Sequence, residues 1–258
     1  MTAPHRPARG TPRRHVVSPT GRLSVREVFP PRVALARGKS AIAVVAVALS
    51  IFAVIFTLVR RNRSAGFDLR VTRRLQRQNR RWFSWLMRAV SWPGFPPQSR
   101  IIPPALAGGL LLLGFPLEAL FQLAAWGAGG ISSLNKRLMR RSRPSSADVR
   151  VLPARIGGTS FPSGHVLIYT GVYGFLAFLI ETLVRSDRLR RAGVGVLVSL
   201  IALVGPSRIY LGHHWFTDVL ASYLLGASYL LGLTALYRRV KTGWLNRRYA
   251  HLRRAGGA

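Results

Sequence analysis

The sequence predicts an all-α protein, a polytopic membrane helical bundle of about six transmembrane helices. Two observations carry this reading. The stretch AIAVVAVALSIFAVIFTLV, Ala41 to Val59, is apolar and uncharged over about the 20 residues that a helix needs to cross a bilayer core. Further apolar stretches follow at Ile101–Phe115, Pro116–Leu134, His165–Val184, Ala192–Val204 and Trp215–Tyr237, with basic segments between them. The formal net charge is +32, with seven carboxylates set against 39 lysines and arginines.

Taken in order, residues 1–40 are rich in Arg, Pro, Thr and Gly and poor in large apolar side chains. Such a composition cannot bury a core, so a disordered basic N-terminal tail is expected. The span from Ala41 lies too far into the chain, and is too long, to be a signal-peptide core. In the basic stretch Arg60–Arg100, Trp82, Trp85, Leu86, Ala89 and Val90 recur at helical spacing with Arg80, Arg81 and Arg88 interleaved. That pattern suits either an amphipathic helix at the membrane interface or a helix packed on the spans. Pro103, Pro104, Gly108 and Gly109 interrupt the second apolar stretch, which membrane helices tolerate when neighbours satisfy the freed backbone groups. The membrane-embedded unit is read as residues 41–237, and residues 238–258 as a basic C-terminal tail.

The charge does not indicate a nucleic-acid partner, because no recognition motif accompanies it. Arginine flanks on membrane helices set topology and attract anionic membrane lipids. The N-terminal tail, the RSDRLRR loop and the RRVKTGWLNRRYAHLRR segment are all strongly basic, and with six spans all three fall on the cytoplasmic side. The same assignment puts Arg60–Arg100 and KRLMRRSRP outside, against the charge rule. A long loop can translocate regardless of charge, but the short KRLMRRSRP segment requires a functional reason. There are no cysteines, which excludes disulfides and thiolate metal sites. Nothing in the sequence specifies an oligomeric state.

Under this topology three polar stretches share one face of the membrane: KRLMRRSRP, FPSGH and SRIYLGHHWFTD. They bring Lys136, Arg143, Arg208, Ser163, His165, His214 and Asp218 together. Three cations converging on one point call for an anion with several oxygens, and so for phosphate. Lys136 and Arg143 are seven apart, near two helical turns, so both can project from one helix face before Pro144 stops it. Ser163-Gly164-His165 falls where a helix begins, and free N–H groups there cradle anions. Gly164 allows close backbone approach. His214 and Asp218 are four apart, so on a helix the carboxylate can accept a hydrogen bond from the imidazole and orient it. A histidine so held can act as nucleophile, with His165 as general acid.

Lys136…Arg143-Pro144, Pro162-Ser163-Gly164-His165 and Ser207-Arg208…His214…Asp218 together follow the pattern K-x6-R-P, P-S-G-H, S-R-x5-H-x3-D, and all eleven specified positions match in order. The chain thus resembles the type 2 phosphatidic acid phosphatase superfamily, whose members include lipid phosphate phosphatases and vanadium haloperoxidases, and specifically its membrane-bound branch. The resemblance implies a metal-independent phosphatase without cofactor. In it His214 attacks phosphorus to give a phosphohistidine, Asp218 orients His214, and His165 protonates the leaving oxygen and then activates water. Lys136, Arg143, Arg208, Ser163 and the Gly164 N–H would stabilise the phosphoryl oxygens. The implied substrate is a lipid phosphate or a polyprenyl diphosphate such as undecaprenyl diphosphate.

Two other readings use the same residues: a phosphotransferase of this architecture, and a non-catalytic protein that binds anionic lipid. A haloperoxidase is disfavoured because those relatives are soluble. His213 is read as a neighbour, Ser207 and Pro162 as structural, and Arg137, Arg140 and Arg141 as facing lipid head groups. Ser163 could equally serve as an N-cap.

Overall fold

The computed structural model describes residues 31–255 apart from residue 155, with side chains described from 40 to 244. Residues 1–30, most of the expected basic tail, lie outside the described residues. Helix α1 runs Pro31–Arg60, α2 Ala65–Gln76, α3 Arg81–Ser91, α4 Gln98–Leu112, α5 Pro116–Trp126 and α6 Ala128–Met139. A long loop leads to α7, Gly164–Ile168. It continues through a π-helical turn, Tyr169–Tyr173, into α8, Gly174–Leu183; α9, Asp187–Tyr210, and α10, Phe216–Ala255, complete the chain. The described residues are helical or irregular throughout, an all-α membrane bundle as the sequence predicts.

Four helical stretches among the described residues are long and apolar enough to cross a membrane: Ser40–Arg60, Gly164–Leu183, Asp187–Tyr210 and Phe216–Trp244. The expected count of about six includes two further crossings, in the regions of α4 and of α5 with α6. Helix α4 has 15 residues, about 22 Å at 1.5 Å per residue, short of a hydrocarbon core of about 30 Å. Helices α5 and α6 are separated at Gly127, so neither alone spans that distance.

The bundle is organised around α10. Helix α1 lies along it, α7 and the π turn pack against it, and α9 runs between α3 and α8. Phe52 and Phe56 of α1 close over Phe161, which is fully buried just ahead of α7. Val90 of α3 joins Val166, Tyr169, Val204, Ile209 and Val219 in one core cluster. Much of α1 and α9 leaves its apolar side chains exposed, as lipid-facing helices do.

Helix α3 exists where the sequence places it, and its faces divide at the helical period. Met87, Val90 and Ser91 are buried, whereas Trp82 and Trp85 are turned outward. Thus α3 packs on α9 and still presents two tryptophans of the kind that settle at membrane interfaces.

Candidate active site

Helix α6 delivers the first cation. Lys136 sits in its last turn, and the helix stops when Arg140 adopts a left-handed conformation, φ 48°. This corrects the expectation that Lys136 and Arg143 share one helix face. The helix ends at Met139, five residues before Pro144, and Arg143 approaches from the irregular segment beyond it. Arg143 donates from Nε to Gly158 O (3.1 Å), from Nη2 to Gly157 O (3.1 Å) and from Nη1 to His213 O (2.8 Å). Its Nη1 also lies 3.2 Å from His214 Nε2.

His214 is buried in the turn between α9 and α10. Its Nδ1 is 2.7 Å from Ser160 O. A carbonyl can only accept, so Nδ1 carries the proton and the Nε2 lone pair is left facing Arg143. Burial pushes its pKa well below 6.5, and Arg208, Arg143 and Lys136 push it further. The neutral imidazole with its lone pair on Nε2 is the form a nucleophile requires.

The expected helical step from His214 to Asp218 is not present, because α10 begins only at Phe216. Asp218 Oδ2 stands 3.7 Å from His214 Nδ1, in charge contact rather than hydrogen-bonded. The carboxylate accepts instead from Trp215 N–H at 2.8 Å, three residues back, as an N-terminal cap of α10. Its other oxygen accepts from Arg141 Nη1 at 2.6 Å.

Arg141 overturns its assignment to lipid head groups. Its guanidinium reaches inward, pairing with Asp218 and, through Nη2, with Asp68 of α2 at 2.6 Å. Both carboxylates are fully buried. Removing one member of a buried pair costs about 3–5 kcal/mol, while an exposed pair contributes about 0–1 kcal/mol, so Arg141 belongs to the interior framework. Arg137 and Arg140 do line an open cleft of about 470 Å³ together with Lys136, Gly157, Gly158 and Thr159.

Arg208 is fully buried near the end of α9, with Nη1 donating to Ser91 Oγ at 2.8 Å and its guanidinium 4.8 Å from the centre of the Phe95 ring. Its Nε and Nη2 are buried and have no protein partner. The same is true of Ser163 Oγ and His165 Nε2. Ser163 occupies the N-cap position of α7 but makes no capping bond with its hydroxyl; its N–H donates to Ser222 Oγ at 2.7 Å. A Cβ on Gly164 would lie 4.0 Å from Lys136 Nζ, so α6 and the start of α7 meet here. Unpaired buried polar atoms are costly, and four on three residues beside a cluster of cations are explained by an oxyanion ligand.

His213 is a neighbour, as the sequence suggests. Its Nε2 donates to Leu152 O at 2.9 Å, and burial, with Arg208 nearby, lowers its pKa to about 4.

Sequence reasoning missed the contribution of residues 61–97. Ser91 holds Arg208, Phe95 sets its ring edge against His165 with centroids 4.7 Å apart, and Gly94 touches His165 directly. A Cβ at Gly94 would fall 2.2 Å from His165 Cδ2, so only glycine fits. The lone aspartate in an arginine-rich helix, Asp68, was the one signal available.

Comparisons with known proteins bear on this geometry. The family model of the PAP2 superfamily matches residues 116–241. Phosphatidylglycerophosphatase B of Bacillus subtilis (strain 168) is 29% identical over 150 residues, covering 56% of this chain and 70% of that protein. Among solved structures, a transmembrane PAP2 type phosphatidylglycerolphosphate phosphatase from Bacillus subtilis superposes with a TM-score of 0.64 at 22% identity, over 76% of this chain and 96% of that one. The family match holds Lys136, Arg143, Ser163, Gly164, His165, Arg208, His214 and Asp218, and the structural likeness extends the same fold well beyond it. On the strength of motif, fold and homology together, residues 116–241 match the PAP2 superfamily, and the chain is a membrane-embedded phosphatase.

Proposed function

We propose that the chain hydrolyses lipid phosphates through a phosphohistidine at His214, with the phosphoryl group held by Lys136, Arg143, Arg208 and Ser163. The observation that carries this is the set of buried, unpaired polar atoms, Ser163 Oγ, Arg208 Nε and Nη2 and His165 Nε2, beside a histidine whose lone pair faces a cation. In the first step His214 Nε2 forms a bond to phosphorus while the bond to the leaving oxygen breaks, and His165 gives that oxygen a proton. In the second, His165 takes a proton from water as its oxygen attacks phosphorus and the N–P bond breaks. The three cations offset the charge on the equatorial oxygens, more effectively in a buried site than in water. Arg143 contacts His214 Nε2 directly, and phosphate would draw its guanidinium away from the lone pair.

Three observations support a lipid substrate: the site's place at helix ends of a membrane bundle, the cleft lined by Arg137 and Arg140, and the likeness to phosphatidylglycerophosphatase B. Helices α8 and α10 both lead away from the site towards strongly basic ends, which favours an outward-facing site under the positive-inside rule.

The test is phosphate release by detergent-purified protein in excess EDTA. Phosphatidylglycerophosphate, phosphatidic acid and undecaprenyl diphosphate are offered in parallel, with His214→Ala as control. Release that the substitution abolishes, with label from a phosphorus-32 substrate trapped on His214, is the expected outcome. Parental release from the His214→Ala protein would refute the mechanism.

A further inference from the structure

We propose that Asp68 and Arg141 are positioning residues of this reaction, forming with Asp218 a buried carboxylate–guanidinium–carboxylate bridge that sets where His214 stands. The proposal rests on His214 as the nucleophile. Neither Asp68 nor Arg141 is among the motif positions, and Asp68 lies outside the family match at 116–241.

Asp68 is a fully buried charge in a helix whose other charged residues are arginines. Such a group persists only where its oxygens are satisfied. Here Oδ1 accepts from Thr217 N–H at 2.9 Å, and Oδ2 accepts from Thr217 Oγ1 at 2.9 Å and Arg141 Nη2 at 2.6 Å. Arg141 Nη1 binds Thr217 Oγ1 at 2.8 Å and Asp218 Oδ1 at 2.6 Å, and Nη2 also reaches Ser64 Oγ at 3.1 Å. One planar fork thus joins α2 to the first turn of α10, a geometry that lysine cannot reproduce.

Arg141 governs both groups beside His214 Nδ1. Through its side chain it fixes Asp218, which faces Nδ1 at 3.7 Å and binds the N–H of Trp215, the residue next to the nucleophile. Through its backbone carbonyl it accepts from Ser160 N–H at 2.8 Å, and Ser160 O is the acceptor for His214 Nδ1. Asp68 is the anchor that keeps the guanidinium in this place. A fold-stabilising ion pair could lie anywhere; this one ends on the two groups that set the tautomer and orientation of the nucleophile.

The variants are Asp68→Asn, nearly isosteric, and Arg141→Lys, which keeps the buried positive charge and so remains informative where the aspartate variant does not fold. Each is expected to lower kcat about 10- to 100-fold, with KM changed by less than about twofold. In a double-mutant cycle, Asp68→Asn should add little to Asp218→Asn, because the first acts through the second. Independent, multiplying losses would overturn the proposal, and so would parental kcat in the single variants. A readout without turnover is the nitrogen-15 spectrum of histidine-labelled protein, with His214 assigned by His214→Ala. Its Nδ1 and Nε2 signals should shift in Asp68→Asn; unmoved signals would count against the bridge. A parent protein that releases no phosphate would fault the phosphatase mechanism, whereas the spectrum judges the bridge by itself.

Discussion

What surrounds His214 fits it to the nucleophilic role proposed for it. Burial depresses its pKa below 6.5, and Arg208, Arg143 and Lys136 add to that in turn. Because the lowered group remains neutral as the pH falls through 6.5, the proposed nucleophile stays available in mildly acidic solution. The acid limb of kcat/KM, which reports the free enzyme, is therefore expected below pH 6.5. A limb at or above that value in a pH–rate profile would contradict the burial argument. His213 differs in its partners: its ring bonds to the Leu152 carbonyl and its own carbonyl accepts from Arg143.

Short irregular pieces position the chemistry more than the long helices do. The segment Trp92–Gly94 forms a single 3-10 turn after α3, and its last residue lies against the His165 ring. Gly94→Ala would push a methyl group into that ring and displace His165, the proposed proton donor. We expect kcat to fall about 10- to 100-fold, the cost of misplacing a catalytic group by about an ångström. Steady-state kinetics of the purified variant would check this, and unchanged kcat would mean that His165 can move without consequence. The end of α6 works similarly. Left-handed Arg140 turns the chain so that Arg141 and Arg143 leave the helix in different directions, one to the Asp68–Asp218 bridge and the other to His214.

Across the whole molecule, the site gathers at one end of the bundle. Helices α8 and α9 join at the opposite end, just ahead of Arg188 in the first turn of α9, and α10 carries the chain away from the site over 40 residues. The native chain has no cysteine, so single cysteines report topology cleanly. Ser146→Cys, exposed on the loop beside the site, is expected to react with a membrane-impermeant maleimide on intact cells, and Arg188→Cys only after permeabilisation. The reverse pattern would put the site in the cytoplasm and remove the argument from basic flanks.

The sequence by itself determined the all-α membrane class and singled out the candidate residues of the site, because both are written in local signals. Apolar runs of membrane length need no partner to be recognised. PSGH, the Lys136–Arg143 pair and the Ser207–Asp218 segment bring their chemistry with them as residue types in a fixed order. Only the tertiary structure decided how these residues meet. Helical spacing suggested shared faces for Lys136 with Arg143 and for His214 with Asp218, yet α6 ends at Met139 and α10 starts at Phe216, so each pair is assembled across a helix end. Arg141 looked like one more surface arginine among many, and Asp68 lies 73 residues away from it along the chain. Burial turned them into an ion pair, and burial is a property of the packed molecule, where a charge removed from water must find its partner wherever the fold provides one.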